Sequence, residues 1–258
     1  MILPYLKYFF RAGNEHSIHS PFVYELYRDV IRNRSGSRTG FDDLELLRKQ
    51  LRRNHTEIEV LDLGAGSRID KSNKRRISQI AKNAEKPVRF GELFYRLAGH
   101  FAPRTVVELG TSLGLTTLYF SKAIPGGHIL TFEGCPATSA IASENFKAAG
   151  AKNIEIVTGN IDETLPHVVK NIGANLDMVY FDANHRYEPT VRYFQTCLPQ
   201  AGNESVFIFD DIYWSEEMTA AWDEIKKHPA VTVTLDLFWI GLVFFRKEQA
   251  KEDFVLRF

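Results

Sequence analysis

From Thr105 onward, short runs of apolar and β-branched residues alternate with longer amphipathic stretches. The short runs have the length of strands, and the longer stretches repeat their apolar residues at helical spacing. This alternation predicts five βα units and a parallel sheet. The predicted strands cover residues 105–109, 128–133, 154–158, 176–182 and 206–210. The predicted helices cover residues 114–124, 136–149, 161–172, 187–198 and 215–228.

The end of the chain departs from this alternation. Residues 231–235 and 240–245 are both apolar and are separated by too few residues for a crossover helix, so they must pair antiparallel. A parallel sheet that finishes on an antiparallel strand differs from the ordinary dinucleotide-binding fold, which adds a sixth parallel strand. The expected fold is therefore a Rossmann-like α/β sheet with seven mostly parallel strands, the last antiparallel, and helices on both faces.

The first part of the chain reads mainly as helix. Ser20 is a good N-cap before Pro21, apolar residues follow at helical spacing, and residues 42–53 and 91–101 are further amphipathic candidates. We expect residues 1–87 to form a mainly helical cap and residues 88–258 to form the α/β domain.

Composition narrows the class of protein. Lys plus Arg equal Asp plus Glu over the whole chain, but residues 1–103 hold 19 basic and 12 acidic residues. These charges are interspersed, so a solvated helical surface is favoured over a nucleic-acid footprint. Cys135 and Cys197 indicate reduced thiols in a cytoplasmic protein. The apolar segments 1–10 and 237–245 are too short to span a bilayer, so we expect no membrane partner and place them in the core or against a second copy of the chain.

The segment 106–114 carries the clearest candidate chemistry. An apolar strand runs into Gly110 and Gly114, and a second strand ends on Glu133. Glycines let the backbone turn sharply and approach a ligand closely, while a carboxylate at the end of the next strand can accept hydrogen bonds from both ribose hydroxyls. The pattern predicts a nucleoside cofactor site.

A rival glycine motif occupies residues 60–67. The nine residues that follow it, 68–76, are too charged for a helix packed on a sheet, and no acidic strand end follows at a suitable distance. The context therefore favours residues 108–114.

Four motifs then appear in order: Glu108 to Gly114, Glu133, residues 159–166 and residues 176–182. With them the chain resembles class I S-adenosylmethionine-dependent methyltransferases, in particular the small-molecule O-methyltransferases of the catechol and caffeoyl type, over about residues 88–246. The resemblance implies a set of cofactor contacts around the methionine end, the ribose and the adenine. These are Glu108, Gly110, Thr111, Ser112, Gly114, Glu133, Asn160, Ile161 and Asp182.

In catechol-type enzymes a divalent cation, bound by carboxylates after the fourth and fifth strands, lowers the pKa of the acceptor hydroxyl. The resemblance implies that Asp182, Asp210 and Asp211 would hold such a cation, for example magnesium. His185 stands where those enzymes have a lysine, so His185 and Asp182 are the predicted catalytic residues. N-capping and loop hydrogen bonds are the alternative roles for the aspartates, and the cation requirement stays open.

The resulting prediction is a cytoplasmic methyltransferase that acts on a hydroxyl of a small molecule. Two alternatives stay open: a nucleic-acid (RNA) methyltransferase, and a protein that binds S-adenosylmethionine without catalysis. A homodimer is also an open expectation. Tyr213 and Trp214 could line the acceptor pocket or pack in the core, whereas His16 and His19 are expected to be ordinary residues of the cap.

Overall fold

The computed structural model describes residues 2–33, 40–61, 73–173 and 175–258. The chain forms two compact units. One, here called the split unit, consists of Met1–Asn33 and Leu165–Phe258, and the other, the continuous unit, is Arg34–Thr164. These boundaries differ from the expected division at 87/88, which stays a prediction.

The split unit begins with two helices. Helix α1 (Ile2–Arg11) is followed by α2 (Pro21–Glu25), which continues into a π-helical turn, Leu26–Ile31. As the sequence predicts, Ser20 caps α2, because its hydroxyl accepts a hydrogen bond from the Val23 amide.

The continuous unit starts with helices and a small hairpin. Its first elements are α3 (Asp42–Arg53), β1 (Glu57–Glu59), β2 (Lys74–Arg76), α4 (Ile77–Asn83) and α5 (Val88–Phe101). Helix α3 has the predicted bounds and buries Leu44 and Leu51. Helix α5 begins three residues earlier than predicted, directly after Pro87, since proline is well tolerated where a helix starts.

Three parallel strands complete the continuous unit, in the order β3, β4, β5. They and the helices between them are β3 (Thr105–Leu109), α6 (Leu115–Ala123), β4 (His128–Glu133), α7 (Pro136–Ala148) and β5 (Ile154–Thr158). The three strands have the predicted bounds. Strand β3 is almost wholly buried, which explains its continuous apolar sequence.

The remaining elements run from α8 to the end of the chain. They are α8 (Ile161–Asn171), β6 (Leu176–Phe181), α9 (Tyr187–Cys197), β7 (Ala201–Asp210), α10 (Glu216–Lys227), β8 (Val233–Asp236), β9 (Ile240–Phe244) and β10 (Glu252–Val255). Strands β6 and β7 are parallel, and β9 is antiparallel to both β7 and β8. The predicted antiparallel finish is therefore confirmed.

Two strands differ most from the sequence prediction. Strand β7 begins at Ala201 instead of 206, with a register shift opposite β6. Strand β10, parallel to β8, was not predicted, because its polar residues Glu252 and Asp253 give no apolar run. Over the described residues the two units thus contribute eight strands beyond the β1–β2 hairpin, one more than expected. Within this same part of the chain, no helix is both long and apolar enough to cross a membrane.

Candidate active site

The loop between β3 and α6 is a tight turn that requires glycine. Gly110 and Gly114 have φ values of 101° and 82°, in the left-handed region that side chains disfavour. At Gly114 a Cβ would also lie 2.4 Å from Cε1 of Phe146 on α7. The loop backbone is tied to β4, because the amides of Gly110 and Thr111 both donate to the Phe132 carbonyl at 3.0 Å. The loop is therefore fixed from two sides.

Glu133 lies against this loop. Its Oε2 accepts a hydrogen bond from the Ser112 amide at 2.8 Å, and its Oε1 accepts one from the Cys135 amide at 2.9 Å. The side chain is at the end of β4 and only half-buried. A carboxylate has about four acceptor positions, so a carboxylate at this place suits the hydroxyl donors of a ligand. The structure thus brings together the two features that predict a nucleoside site.

Glu108, a predicted cofactor contact, lies in β3 among buried hydroxyl groups. It is fully buried, and its Oε2 accepts hydrogen bonds from the hydroxyls of Thr117 at 2.5 Å and Thr131 at 2.7 Å. The Thr131 hydroxyl is in turn 2.6 Å from the Thr111 hydroxyl in the glycine loop. These contacts link Glu108 to the loop, and its part in cofactor binding stays a prediction. Neither Thr117 nor Thr131 was singled out in the sequence.

Asn160 and Ile161 follow β5, as expected for residues beside an adenine. The Asn160 side-chain oxygen accepts a hydrogen bond from the Asp162 amide at 3.0 Å, and its carbonyl accepts from Glu163 and Thr164. Asn160 therefore begins helix α8, a role that accounts for its presence without a ligand. Its part in cofactor binding stays a prediction.

A second cluster lies within the split unit. One ligand atom from each of Asp182, His185 and Asp210 lies within 4.8 Å of the others. Asp182 follows β6 and Asp210 ends the parallel neighbour β7, so both stand at the same end of adjacent strands. Asp210 is completely buried, and Nε2 of His185 is 3.4 Å from Oδ1 of Asp182. The Tyr180 hydroxyl donates to Oδ2 of Asp182 at 3.1 Å.

Asp211, the third predicted cation ligand, is not part of this group. Its backbone has a φ of 50°, and its amide donates to the Trp239 carbonyl at 2.7 Å. The structure groups His185 with the two aspartates in its place. Asn184 and His185 also have positive φ, 69° and 41°. Left-handed conformations of such residues cost about 1–3 kcal/mol each and concentrate at functional sites.

Tyr213 and Trp214, the aromatic pair that follows Asp211, make different contacts. The Tyr213 hydroxyl donates to Oδ2 of buried Asp236 at 2.5 Å, and its ring stacks on Phe238. Burial, followed by the charge of Asp236, raises the pKa of Tyr213, and burial also raises the pKa of Asp236. Tyr213 therefore packs against the core and is half-buried. The Trp214 amide donates to the Asp211 carbonyl and shapes the loop.

Two further predictions concern the amino-terminal part of the chain, namely His16 with His19 and the rival glycine motif. His16 and His19 are exposed and do not belong to the described histidine–carboxylate cluster. In the rival motif 60–67, residues 62–67 lie outside the described residues. Just before them, the Leu61 amide lies 3.3 Å from Sγ of Cys135.

Comparisons with known proteins find sequence similarity to methyltransferases. Residues 107–212 match a family model described as a methyltransferase domain. The chain is 31% identical over 143 residues to a catechol O-methyltransferase of Mycobacterium tuberculosis, covering 55% of this chain and 61% of that protein. It is 29% identical over 143 residues to a catechol O-methyltransferase of Niastella koreensis, covering 55% and 62%. The chain thus spans about three fifths of the length of these relatives.

The fold also matches a solved structure. An O-methyltransferase from Bacillus cereus, solved in complex with SAH, has a TM-score of 0.55 and 19% identity, covering 63% of this chain and 83% of that one. This likeness shows the fold. The matched region, residues 107–212, contains the glycine loop, Glu133 and the cluster of Asp182, His185 and Asp210, and it is similar in sequence to a methyltransferase domain.

Proposed function

We propose that the protein transfers the methyl group of S-adenosylmethionine to a hydroxyl of a small molecule, with help from a divalent cation. The cluster of Asp182, His185 and Asp210 carries the reaction part of this proposal. The cofactor part is supported by the contact of Glu133 with the glycine loop and by the catechol O-methyltransferase relatives.

In the cofactor site, Glu133 and the glycine turn would contact different parts of the cofactor. Glu133 accepts hydrogen bonds from the ribose hydroxyls, which orients the nucleoside. The turn at Gly110 and Gly114 leaves room for the methionine part of the cofactor. The predicted contact of Asp182 with the cofactor stays a prediction.

The donor set of the cluster fits a divalent cation. Two carboxylates suit magnesium and manganese, whereas the imidazole of His185 shifts the preference toward manganese and other transition metals. A bound cation would lower the pKa of the acceptor hydroxyl. Asp182 and Asp210 would hold it, and the strand ends keep both side chains in place.

Methyl transfer needs an exposed lone pair on the acceptor oxygen. As the oxygen attacks the methyl carbon, the carbon–sulfur bond breaks, S-adenosylhomocysteine leaves, and the hydroxyl proton must be accepted. His185 is the proposed acceptor of this proton where it does not bind the cation. The adjacent Asp182 would stabilise the resulting imidazolium.

The test is turnover of a panel of catechols and other hydroxyl compounds, measured as S-adenosylhomocysteine formed, after removal and return of cations. We expect chelation to abolish turnover and manganese or magnesium to restore it. Asp210→Asn should reduce turnover at least a hundredfold, whereas Asp223→Asn, in the exposed Asp223–Lys226 pair, should not. Turnover that is unchanged by chelation refutes the cation. The non-catalytic alternative would be favoured if the protein turned over no acceptor and bound the cofactor equally well with and without Asp182→Ala.

A further inference from the structure

Helix α1 exposes an unusual number of large apolar side chains. Among the described residues, most of the strongly exposed large apolar side chains lie on this one short helix. They are Leu3 at 64%, Tyr5 at 44%, Leu6 at 45%, Phe9 at 44% and Phe10 at 82% relative exposure. Leu3, Leu6 and Phe10 follow at helical spacing and form one continuous outer stripe. Exposed patches of this kind mark surfaces that bind something.

The opposite side of α1 is attached to the split unit. Tyr8 is buried, its hydroxyl donates to the Leu256 carbonyl at 2.5 Å, and its ring packs against Phe238. Directly after the helix, the Gly13 amide donates to Val255 and the Gly13 carbonyl accepts from Arg257. The helix is therefore fixed on its inner side, and its outer apolar face stays directed away from the core.

The rim of this face is cationic. Lys7 and Arg11 are both exposed, and α1 contains no acidic residue. The Arg257 guanidinium lies over the Phe9 ring, 5.1 Å from its centre. Apolar and aromatic side chains flanked by cations are typical of helices that lie in the interface of an anionic membrane.

We propose that α1 docks the protein on an anionic lipid surface. At 10 residues the helix is about 15 Å long, half the thickness of the hydrocarbon core, so it would lie in the interface and not span it. Leu3, Leu6 and Phe10 enter the boundary between headgroups and acyl chains, and Lys7 and Arg11 contact phosphate groups. This proposal replaces the expectation of no membrane partner.

A second copy of the chain fits the patch less well. The five side chains expose roughly 560 Å², taking about 200 Å² for a fully exposed large side chain. A stable complex buries about 800 Å² on each partner. A twofold interface centred on α1 would also bring the cations of both copies close together, whereas anionic headgroups neutralise them.

The experiment is flotation of the full chain with vesicles of phosphatidylcholine alone and of phosphatidylcholine with phosphatidylglycerol. We expect binding to the anionic vesicles, weakened at least tenfold by 0.5 M salt or by omission of the anionic lipid. Phe10→Glu and Leu3→Glu should each weaken binding at least tenfold. Lys7→Gln should weaken it about fivefold, as one cation fewer at an anionic surface implies.

Leu46→Glu is the matched control, because Leu46 is 57% exposed on helix α3, away from α1 in the chain. It should bind like the wild type. Circular dichroism checks that each variant is folded. Absence of flotation with anionic vesicles overturns the proposal, as does equal loss in Leu46→Glu. Light scattering tests the remaining outcome. If the wild type does not bind vesicles but forms a dimer that Phe10→Glu dissociates, the patch binds a second copy of the chain.

Discussion

Gly114 offers a prediction whose size follows from two separate features of the structure. Its φ of 82° is in the left-handed region, and a Cβ there would lie 2.4 Å from Cε1 and 2.7 Å from Cζ of Phe146. Gly114→Ala therefore introduces backbone strain and a steric clash together. Two other glycines separate these effects. Gly150 has a φ of 67° with no atom within 4 Å of its Cβ position, and Gly126 has open space without a positive φ.

The expected losses of unfolding free energy follow from these geometries. A left-handed backbone costs an L-residue about 1–2 kcal/mol, so Gly150→Ala should lose about that amount. Overpacking a buried contact costs about 1–3 kcal/mol more, so Gly114→Ala should lose about 2–5 kcal/mol. Gly126→Ala should change little.

Urea unfolding at neutral pH measures all three variants. A double variant, Gly114→Ala with Phe146→Leu, should lose less than the sum of the two single variants, because the smaller side chain relieves the clash. Equal losses of unfolding free energy in Gly114→Ala and Gly150→Ala would refute the argument that Phe146 leaves no room for a side chain at position 114. Additivity in the double variant would refute it as well.

Three further predictions concern charged and hydroxyl groups. Glu133→Gln should weaken S-adenosylhomocysteine binding about ten- to a hundredfold in calorimetry, since charge-assisted hydrogen bonds contribute about 1.5–3 kcal/mol. Glu155→Gln, on the exposed edge of β5, is the control. A loss of affinity below about threefold in Glu133→Gln would contradict the role of Glu133. Burial raises the pKa of Glu85 to about 7. Because the folded pKa exceeds the unfolded one, stability should fall as pH rises from about 4.5 to 7, and Glu85→Gln, unlike Glu57→Gln, should remove this part of the decline in urea titrations. Thr131→Val removes the hydroxyl that joins the buried network under the loop, and should cost about 1–3 kcal/mol; an unchanged melting temperature would contradict this.

The sequence predicted the parallel strands well because each is a buried apolar run bounded by turn residues. Strands β3, β4 and β5 have the expected bounds. Strand β10 could not be found in this way, because a polar strand at the edge of a sheet lacks the apolar signal.

Side-chain positions in the site were less predictable. Glu108 pairs in register with Thr131 across β3 and β4, so the strand alignment held a signal for their contact, but the motif alone suggested a ligand. The cluster contains His185 and not Asp211, and both residues have a positive φ, a feature that spacing along the sequence does not show. The pairing of Tyr213 with Asp236 joins residues 23 positions apart and leaves no local pattern.

Calorimetric titration of the wild-type protein with S-adenosylhomocysteine tests the central claim most directly. The proposed function predicts saturable binding of one molecule per chain, with micromolar or tighter affinity. It also predicts that S-adenosylmethionine competes for the same site. Absence of binding to the folded protein would contradict the assignment of the Gly110–Gly114 loop and Glu133 as a methyl-donor site.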